Sequence, residues 1–175
     1  MPPIIGLLEV QRQPMRKKRS KMPFVYAAVI VVLFASLFFL KNLNRSDLYD
    51  KPVSELNPAT KELLKDPNYQ NIILPGELDE RIGSGESMFV YFFASTCSFC
   101  RETTPVLMPI ADELGIDLPQ FNLVEFQDYY RKYNIIYTPT LAYFEGGRIE
   151  GGIGPTGHSA DDYRAFLRNP KGDAS

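Results

Sequence analysis

The first feature of the chain is an apolar run at residues 23–40, eighteen consecutive residues without a charged side chain. A helix rises about 1.5 Å per residue, so the run would span about 27 Å, close to the ~30 Å thickness of a hydrocarbon core. Polar and apolar positions do not alternate within it. The pattern therefore predicts a single transmembrane helix that anchors the protein in a membrane.

The charges on either side of this run predict its orientation. Six Lys or Arg residues lie before it, between positions 12 and 21, whereas only Lys41 and Arg45 follow it closely. Because basic residues stay on the cytoplasmic side, we expect a cytoplasmic N-terminus at residues 1–22 and an extracytoplasmic remainder, in a single-pass protein of the cell membrane. Met15 begins a basic stretch, and we hypothesise that translation starts there.

Two other interpretations of the apolar run are weaker. A cleaved signal peptide also combines a basic region with an apolar one, but this run is longer than a usual signal core and no small-x-small cleavage motif follows it. A buried core helix does not explain the basic flank. An uncleaved signal anchor is therefore the preferred interpretation.

The next segment, residues 41–70, is polar and contains Pro52, Pro58 and Pro67. Proline interrupts long helices, so we expect a polar tether here and not a second domain. A domain at residues 71–170 and a tail at residues 171–175 complete the predicted organisation.

The pattern from residue 71 onward predicts short alternating elements. Residues 88–94 form a continuous apolar run, which is typical of a strand buried on both faces. Apolar residues at helical spacing predict a helix over 99–114, with Pro105 bending it, and Gly146 and Gly147 predict a hairpin turn. The other predicted strands are 71–74, 121–126, 141–144 and 148–153, and the other predicted helices are 76–82, 127–133 and 159–168. The order β-α-β-α-β-α-β-β-α predicts an α/β fold with a mixed sheet and helices on both faces.

The charge balance differs between the two ends of the chain. Residues 1–45 carry eight Lys or Arg and one Glu, a net charge of +7, whereas residues 46–175 carry eleven Lys or Arg and twenty Asp or Glu, a net charge of −9. An acidic domain beside a basic, membrane-proximal end argues against a phosphate-binding surface. We therefore expect no nucleic-acid partner.

The candidate chemistry is concentrated in the only two cysteines, Cys97 and Cys100, which follow the predicted buried strand and open the next helix. A structural zinc site needs about four N or S ligands, and the chain offers two cysteines and His158. A purely structural disulfide would close a very small loop and so remove little chain entropy. A redox pair fits best, and it needs no metal or cofactor beyond its own disulfide.

The position of the pair supports this redox chemistry. Unpaired N–H groups at a helix N-terminus stabilise a thiolate, which is the attacking species. We expect Cys97 to attack a partner disulfide and Cys100, one turn later, to resolve the mixed disulfide. The same steps run in both directions, so the motif does not decide between reduction and oxidation.

These motifs together resemble the thioredoxin-fold family over about residues 72–168. The apolar strand, the C-x-x-C pair, Pro105 five residues after the second cysteine, and the Thr138-Pro139 pair before a strand occur in the order typical of that family. The resemblance implies that Pro139 is cis and faces the cysteines, and that Thr138 offers backbone groups to an extended substrate. It also implies that the dipeptide between the cysteines, Ser98-Phe99, tunes the redox potential.

Two departures from the family are visible. Ser98 and Phe99 replace the Gly-Pro dipeptide of thioredoxins, and Tyr91 lies where cytoplasmic thioredoxins carry a buried aspartate. A carboxylate there helps to remove the proton from the second cysteine, so rapid thioredoxin-like reduction is in doubt. Glu102 is a candidate substitute, although a solvated helix position suits it better.

The sequence thus predicts a membrane-anchored, extracytoplasmic thiol-disulfide oxidoreductase. It resembles bacteriocin-transport accessory proteins and the reductases of cytochrome c maturation, and nothing in the sequence decides between them. Expected partners are exported protein thiols and disulfides and a redox partner in the membrane, with the chain itself a monomer. The alternative is a non-catalytic adaptor of a secretion or maturation machine, in which the cysteines only form a stabilising bridge. We expect His158 to lie on an exposed loop without a catalytic role.

Overall fold

The computed structural model describes residues 22–43, 45–155 and 158–172, which form two compact units divided after Leu40. The elements of the described residues, in chain order, are α1 (Met22–Leu43), β1 (Arg45–Ser46), β2 (Lys51–Pro52), α2 (Pro58–Leu63), α3 (Pro75–Gly83), β3 (Met88–Phe93), α4 (Ser98–Glu113), β4 (Gln120–Asn122), α5 (Tyr129–Lys132), β5 (Thr140–Glu145), β6 (Arg148–Ile153) and α6 (Ala160–Arg168). Short 3-10 helices occur at Val53–Glu55 and Pro67–Tyr69.

The first unit contains the apolar helix that the sequence predicts. Its Met22–Leu40 portion is long and apolar enough to cross a membrane, with a mean hydropathy of 2.5, and none of it is buried in the structure. A signal sequence near the N-terminus would have the same properties. The basic segment before Met22, with the proposed start at Met15, lies outside the described residues.

The second unit is built on a four-stranded mixed sheet in the order β4-β3-β5-β6. β3 pairs parallel with β4 and antiparallel with β5, and β5 and β6 form the hairpin predicted at Gly146 and Gly147. Both of these glycines have positive φ, which the turn requires and which glycine adopts without a steric penalty. The predicted strand at 71–74 is reduced to a single bridge between Ile72 and Gln120.

Helices cover both faces of this sheet, as the predicted α/β fold requires. On one face, Tyr91 and Phe93 of β3 belong to an apolar cluster that includes Leu107 of α4 and Leu167 of α6. On the other face, Phe92 belongs to a second cluster, with residues of α3 and the aromatic side chains of α5 packed against it. Tyr91, Phe92 and Phe93 of β3 are each 0% exposed. This double burial explains why the run at residues 88–94 is continuously apolar.

The predicted tether at residues 41–70 is wrong for the part from Arg45 onward, which is folded. Tyr49, Leu56, Leu63 and Tyr69 are at most 8% exposed. Two of the prolines that indicated interruption instead begin helices: Pro58 follows the cap Asn57, and Pro67 follows the cap Asp66. Proline is favourable at a first helical position because its missing N–H needs no partner there.

Hydrogen bonds between buried polar groups fasten this segment to the sheet. Thr60 Oγ1 lies 2.9 Å from Ser95 Oγ and accepts a bond of 3.2 Å from the Asn122 amide, which also donates to the Tyr49 hydroxyl over 3.1 Å. Ser95 lies two residues after the end of β3, and Asn122 is the last residue of β4, the strand that pairs parallel with β3. The segment is therefore part of the domain that carries the two cysteines.

Candidate active site

The two cysteines lie at the junction between the central strand β3 and helix α4. The Cys97 N–H donates to the carbonyl of Ala94 over 2.9 Å, and this tight turn makes Cys97 the N-cap of α4, which begins at Ser98. The Cys97 side chain makes no capping hydrogen bond. Cys97 thus lies at the positive end of the helix dipole.

Burial distinguishes the two sulfurs. Cys97 is partly exposed, whereas Cys100 is 1% exposed, and both are free thiols in this structure. Burial raises the pKa of the Cys100 thiol to about 12, against smaller opposing effects from the Ala94 backbone and the Thr138 side chain. One thiol is accessible, and the other is held protonated inside the domain.

This asymmetry predicts which thiol is alkylated first. At about pH 8, a pKa of about 12 leaves about one Cys100 in ten thousand as thiolate, and its reactivity rises about tenfold per pH unit. Iodoacetamide should therefore modify Cys97 in the folded, reduced protein and modify Cys100 only after unfolding. Peptide mapping by mass spectrometry measures this order. Equal modification of both thiols in the folded protein would contradict it.

The loop before β5 brings a third group to the cysteines. β5 pairs antiparallel with β3, with Thr140 opposite Phe92, so the start of β5 lies beside the end of β3. The Cys97 Sγ–H donates to the Thr138 carbonyl over 3.3 Å, and the Thr138-Pro139 peptide bond is cis, as the family resemblance implies. The structure thus places Thr138 directly at the accessible sulfur.

The remaining residues of the predicted site are exposed. Ser98 is exposed and Phe99 is 50% exposed, while Pro105 is an exposed residue within α4, which continues past it. Ile136 and Tyr137, just before Thr138, are 69% and 64% exposed. Exposed apolar or aromatic side chains therefore occur in both segments of the site, at Phe99 between the cysteines and at Ile136 and Tyr137 before Thr138.

A group of hydroxyls that the sequence analysis missed surrounds the buried cysteine. The Cys100 carbonyl accepts hydrogen bonds from Thr104 over 2.7 Å and from the Tyr69 hydroxyl over 3.3 Å. The Tyr91 hydroxyl lies 3.1 Å from Thr104 Oγ1, and burial raises the pKa of Tyr91, which keeps it neutral. Neutral hydroxyls thus occupy the region where thioredoxins have a carboxylate.

Tyr130 is a further residue that the sequence did not single out. It lies on α5, and burial raises the pKa of its phenol against a smaller, lowering effect of the Thr138 side chain. Both cysteines also act on the same phenol electrostatically. One tyrosine among the aromatic residues at 129, 130 and 133 carries no sequence signal for this position, because the packing of α5 against the sheet determines it.

Two other candidates lie outside this group. Glu102 is exposed on α4, whereas Cys100 is buried, so the helix presents the two side chains on different faces. His158 is exposed, with its ring 6.0 Å from that of Tyr163. Among residues 22–43, 45–155 and 158–172, no group of three or more His, Cys, Asp or Glu side chains is arranged to hold a metal ion.

Comparison with known proteins identifies the family and supports the fold. The thioredoxin family model matches residues 68–168. The chain is 26% identical to protein disulfide-isomerase A5 of Mus musculus over 147 residues, which cover 80% of this chain and 26% of that protein. It is 24% identical to probable protein disulfide-isomerase A6 of Medicago sativa over 111 residues, which cover 61% of this chain and 30% of that protein. The chain thus matches less than a third of the length of these relatives.

Two solved structures resemble the domain. The J-Trx1 fragment of ERdj5 superimposes with a TM-score of 0.51 and 23% identity, covering 62% of this chain and 54% of the fragment. The zinc-bound form of human ERp44 superimposes with a TM-score of 0.50 and 19% identity, covering 59% of this chain and 31% of that one. At these identities the likeness is one of fold.

Proposed function

The chain belongs to the thioredoxin family, and on that premise we propose that it is a thiol-disulfide oxidoreductase with Cys97 as nucleophile and Cys100 as resolving thiol. The observation that carries the proposal is the pairing of a partly exposed sulfur at a helix N-terminus with a buried thiol one turn later. A stabilising bridge between the two would not require the first sulfur to be accessible.

The reaction exchanges two electrons in two steps. The Cys97 thiolate attacks one sulfur of a partner disulfide, forming a mixed disulfide and releasing the other partner sulfur as a thiolate. Cys100 then passes its proton to the partner thiolate released in the first step and attacks the Cys97 sulfur. This closes the Cys97–Cys100 disulfide and releases the second partner sulfur as a thiolate, which takes a proton from water. The partner is reduced to a dithiol while the chain is oxidised, and the reverse sequence oxidises a dithiol.

Thr138 and Pro139 provide the substrate platform in this proposal. Because the Thr138 carbonyl already accepts a hydrogen bond from Cys97, the backbone beside it lies at the reacting sulfur. An extended polypeptide segment placed there can pair with backbone groups and present its own sulfur to Cys97. The substrates are therefore protein thiols and disulfides in extended segments.

The activity is tested with the full chain in detergent micelles and a disulfide-bonded peptide. The reduced chain should reduce the oxidised peptide, and the oxidised chain should oxidise the reduced peptide, each well above the uncatalysed rate. The ratio of the two rates gives the preferred direction. Exchange no faster than the uncatalysed reaction in both directions would contradict the proposal and favour the adaptor function.

We further propose that α1 anchors the domain on the extracytoplasmic side of a cell membrane, where disulfides persist. The exposed apolar span at Met22–Leu40 and the basic excess before it support this placement. Partners would be exported proteins and a redox protein of the same membrane, with the chain as a monomer. Bacteriocin-transport accessory proteins and cytochrome c maturation reductases both fit this arrangement, and the identity of trapped partners distinguishes them.

The cysteine content makes this placement easy to test. The chain has only two cysteines, both in the domain, and Cys97 is the accessible one. Labelling of this chain by a thiol reagent therefore reports on which side of the membrane the domain lies. In reduced, intact bacterial cells, a membrane-impermeant maleimide should label the wild type and leave a Cys97→Ser variant unlabelled. Labelling of the wild type that appears only after lysis would place the domain in the cytoplasm instead.

A further inference from the structure

A pocket of about 250 Å³ lies beside the cysteine pair, between α4 and the segment that leads into α6. Phe99, the residue just before Cys100, forms part of its wall. Among the residues that the structure describes, the lining is Phe99, Glu102, Thr103, Val106, Pro155, His158 and Tyr163. The pocket is smaller than the roughly 300–1,000 Å³ of typical small-molecule sites, so it suits a single side chain better than a free ligand.

The charge in this pocket comes from Glu102. No ion pair involves Glu102 within the described parts of the chain, and the neighbouring cations are engaged elsewhere. Arg101 pairs with Glu62 over 3.1 Å, and Arg164 of α6 pairs with Glu113 over 3.0 Å. The carboxylate therefore faces the pocket without a compensating cation from α4 or α6.

The accessible surface of the pocket is mostly polar, and apolar and aromatic side chains form part of its walls. Phe99 and Val106 are 50% and 42% exposed, and the rings of His158 and Tyr163 lie 6.0 Å apart on the opposite side. A long basic side chain packs its aliphatic stem on apolar surface while its charged head reaches an anion or an aromatic face. The combination of one carboxylate with such walls is complementary to lysine or arginine.

We propose that this pocket binds a basic side chain of the partner polypeptide, close in sequence to the partner cysteine that reacts with Cys97. The inference rests on the proposed function, because the partner must be held at the Thr138 platform for its neighbouring residues to reach Phe99. The net charge of −9 on residues 46–175 favours the same class of partner, since it attracts cationic segments before they dock. Glu102 is then a specificity-determining residue.

The test compares peptide disulfides that differ at one position flanking the reacting cysteine, carrying lysine, glutamine or glutamate. With the full chain at low salt, kcat/KM should favour the lysine peptide over the glutamine peptide by about three- to tenfold, mainly through KM. Glu102→Gln should remove this preference, and Glu102→Lys should reverse it toward the glutamate peptide. The small neutral disulfide of 2-mercaptoethanol carries no side chain for the pocket, and its rate with the wild type and with Asp112→Asn should be the same.

Asp112→Asn provides the matched control, because Asp112 is an exposed acid on the same helix outside the pocket. It should keep the lysine preference of the wild type. Equal rates for the three peptides with the wild type, or a preference that survives Glu102→Gln, would overturn the proposal. Loss of the preference in Asp112→Asn as well would show that overall charge and not the pocket selects the peptide, and would also overturn it. No exchange with the small disulfide would overturn the proposed function, and this inference with it.

Discussion

Replacing Cys97 with serine is expected to reduce disulfide exchange to the uncatalysed rate. A hydroxyl of ordinary pKa does not attack a disulfide, and Cys100 cannot take over the first step because it is 1% exposed and its pKa is raised to about 12. We expect a loss of at least about a thousandfold in kcat/KM, a reduction of more than about 4 kcal/mol in transition-state stabilisation. Initial rates with a disulfide-bonded peptide measure the change.

The matched variant is Cys100→Ser, which keeps the attacking thiol. Each molecule of this variant should react with one peptide disulfide and stop at the mixed disulfide, because it has no second thiol to resolve it. Near-ultraviolet circular dichroism on both variants checks that the serine has left the fold intact. Full turnover by Cys97→Ser would mean that Cys100 initiates the reaction, which its burial in the structure contradicts.

Replacing Tyr69 with alanine is expected to lower the free energy of unfolding strongly, although Tyr69 lies outside the domain that the sequence predicts at residues 71–170. Tyr69 lies in the segment whose sequence suggested a tether, yet it is 3% exposed and its ring centroid is 5.2 Å from that of Phe93. Removing a buried aromatic side chain costs about 3–5 kcal/mol through lost burial and the cavity left behind. Urea unfolding of the Lys41–Ser175 unit measures the free energy of unfolding.

Two control variants separate the contributions of Tyr69. Tyr69→Phe should cost about 0.5–1.5 kcal/mol, because the Cys100 carbonyl retains its bond from Thr104 when the tyrosine hydroxyl is lost. Lys65→Ala, an exposed position of the same segment, should change stability by less than about 0.5 kcal/mol. If Tyr69→Ala matched Lys65→Ala, the segment would be a tether in solution.

Local sequence features predicted the central elements because each of those elements carries its own signal. β3 is buried on both faces, so its apolar run has no polar interruption, and the glycines at 146 and 147 provide the positive φ of the hairpin. The last helix, predicted at 159–168, begins with a local signal, because Ser159 forms a capping box with Asp162. The predicted mixed sheet with helices on both faces is confirmed.

Residues 45–70 were predicted as a tether because their buried residues are sparse in the sequence. Tyr49, Leu56 and Leu63 lie seven positions apart, and the six residues between each pair are mostly polar, so no continuous apolar face of a strand or helix is visible. Their burial depends on partners distant in the chain, as in the hydrogen bond between Asn122 and Tyr49. Such long-range contacts leave no pattern in a single local window.

The candidate site was predicted from its motifs, and the roles of its residues stay predictions. The C-x-x-C pair and the Thr138-Pro139 pair were identified from the order in which they occur, and the structure brings Cys97 and Thr138 within 3.3 Å. Tyr69, Thr104 and Tyr130 were missed, because a tyrosine or threonine that hydrogen-bonds near a site looks like any core or surface residue in sequence. Glu102 was considered for proton transfer, whereas the structure places it at the pocket beside Phe99.

The measurement that tests the proposed chemistry most directly is covalent trapping with the full-length Cys100→Ser chain in its native membrane. We expect a mixed disulfide between Cys97 and partner proteins, visible as higher-mass species on non-reducing gels and released by dithiothreitol, with Cys97→Ser as the control that traps nothing. Partners with extracytoplasmic cysteines would support both the chemistry and the location. Absence of any trapped species, in a variant shown to be folded, would contradict the oxidoreductase function and leave the adaptor function in its place.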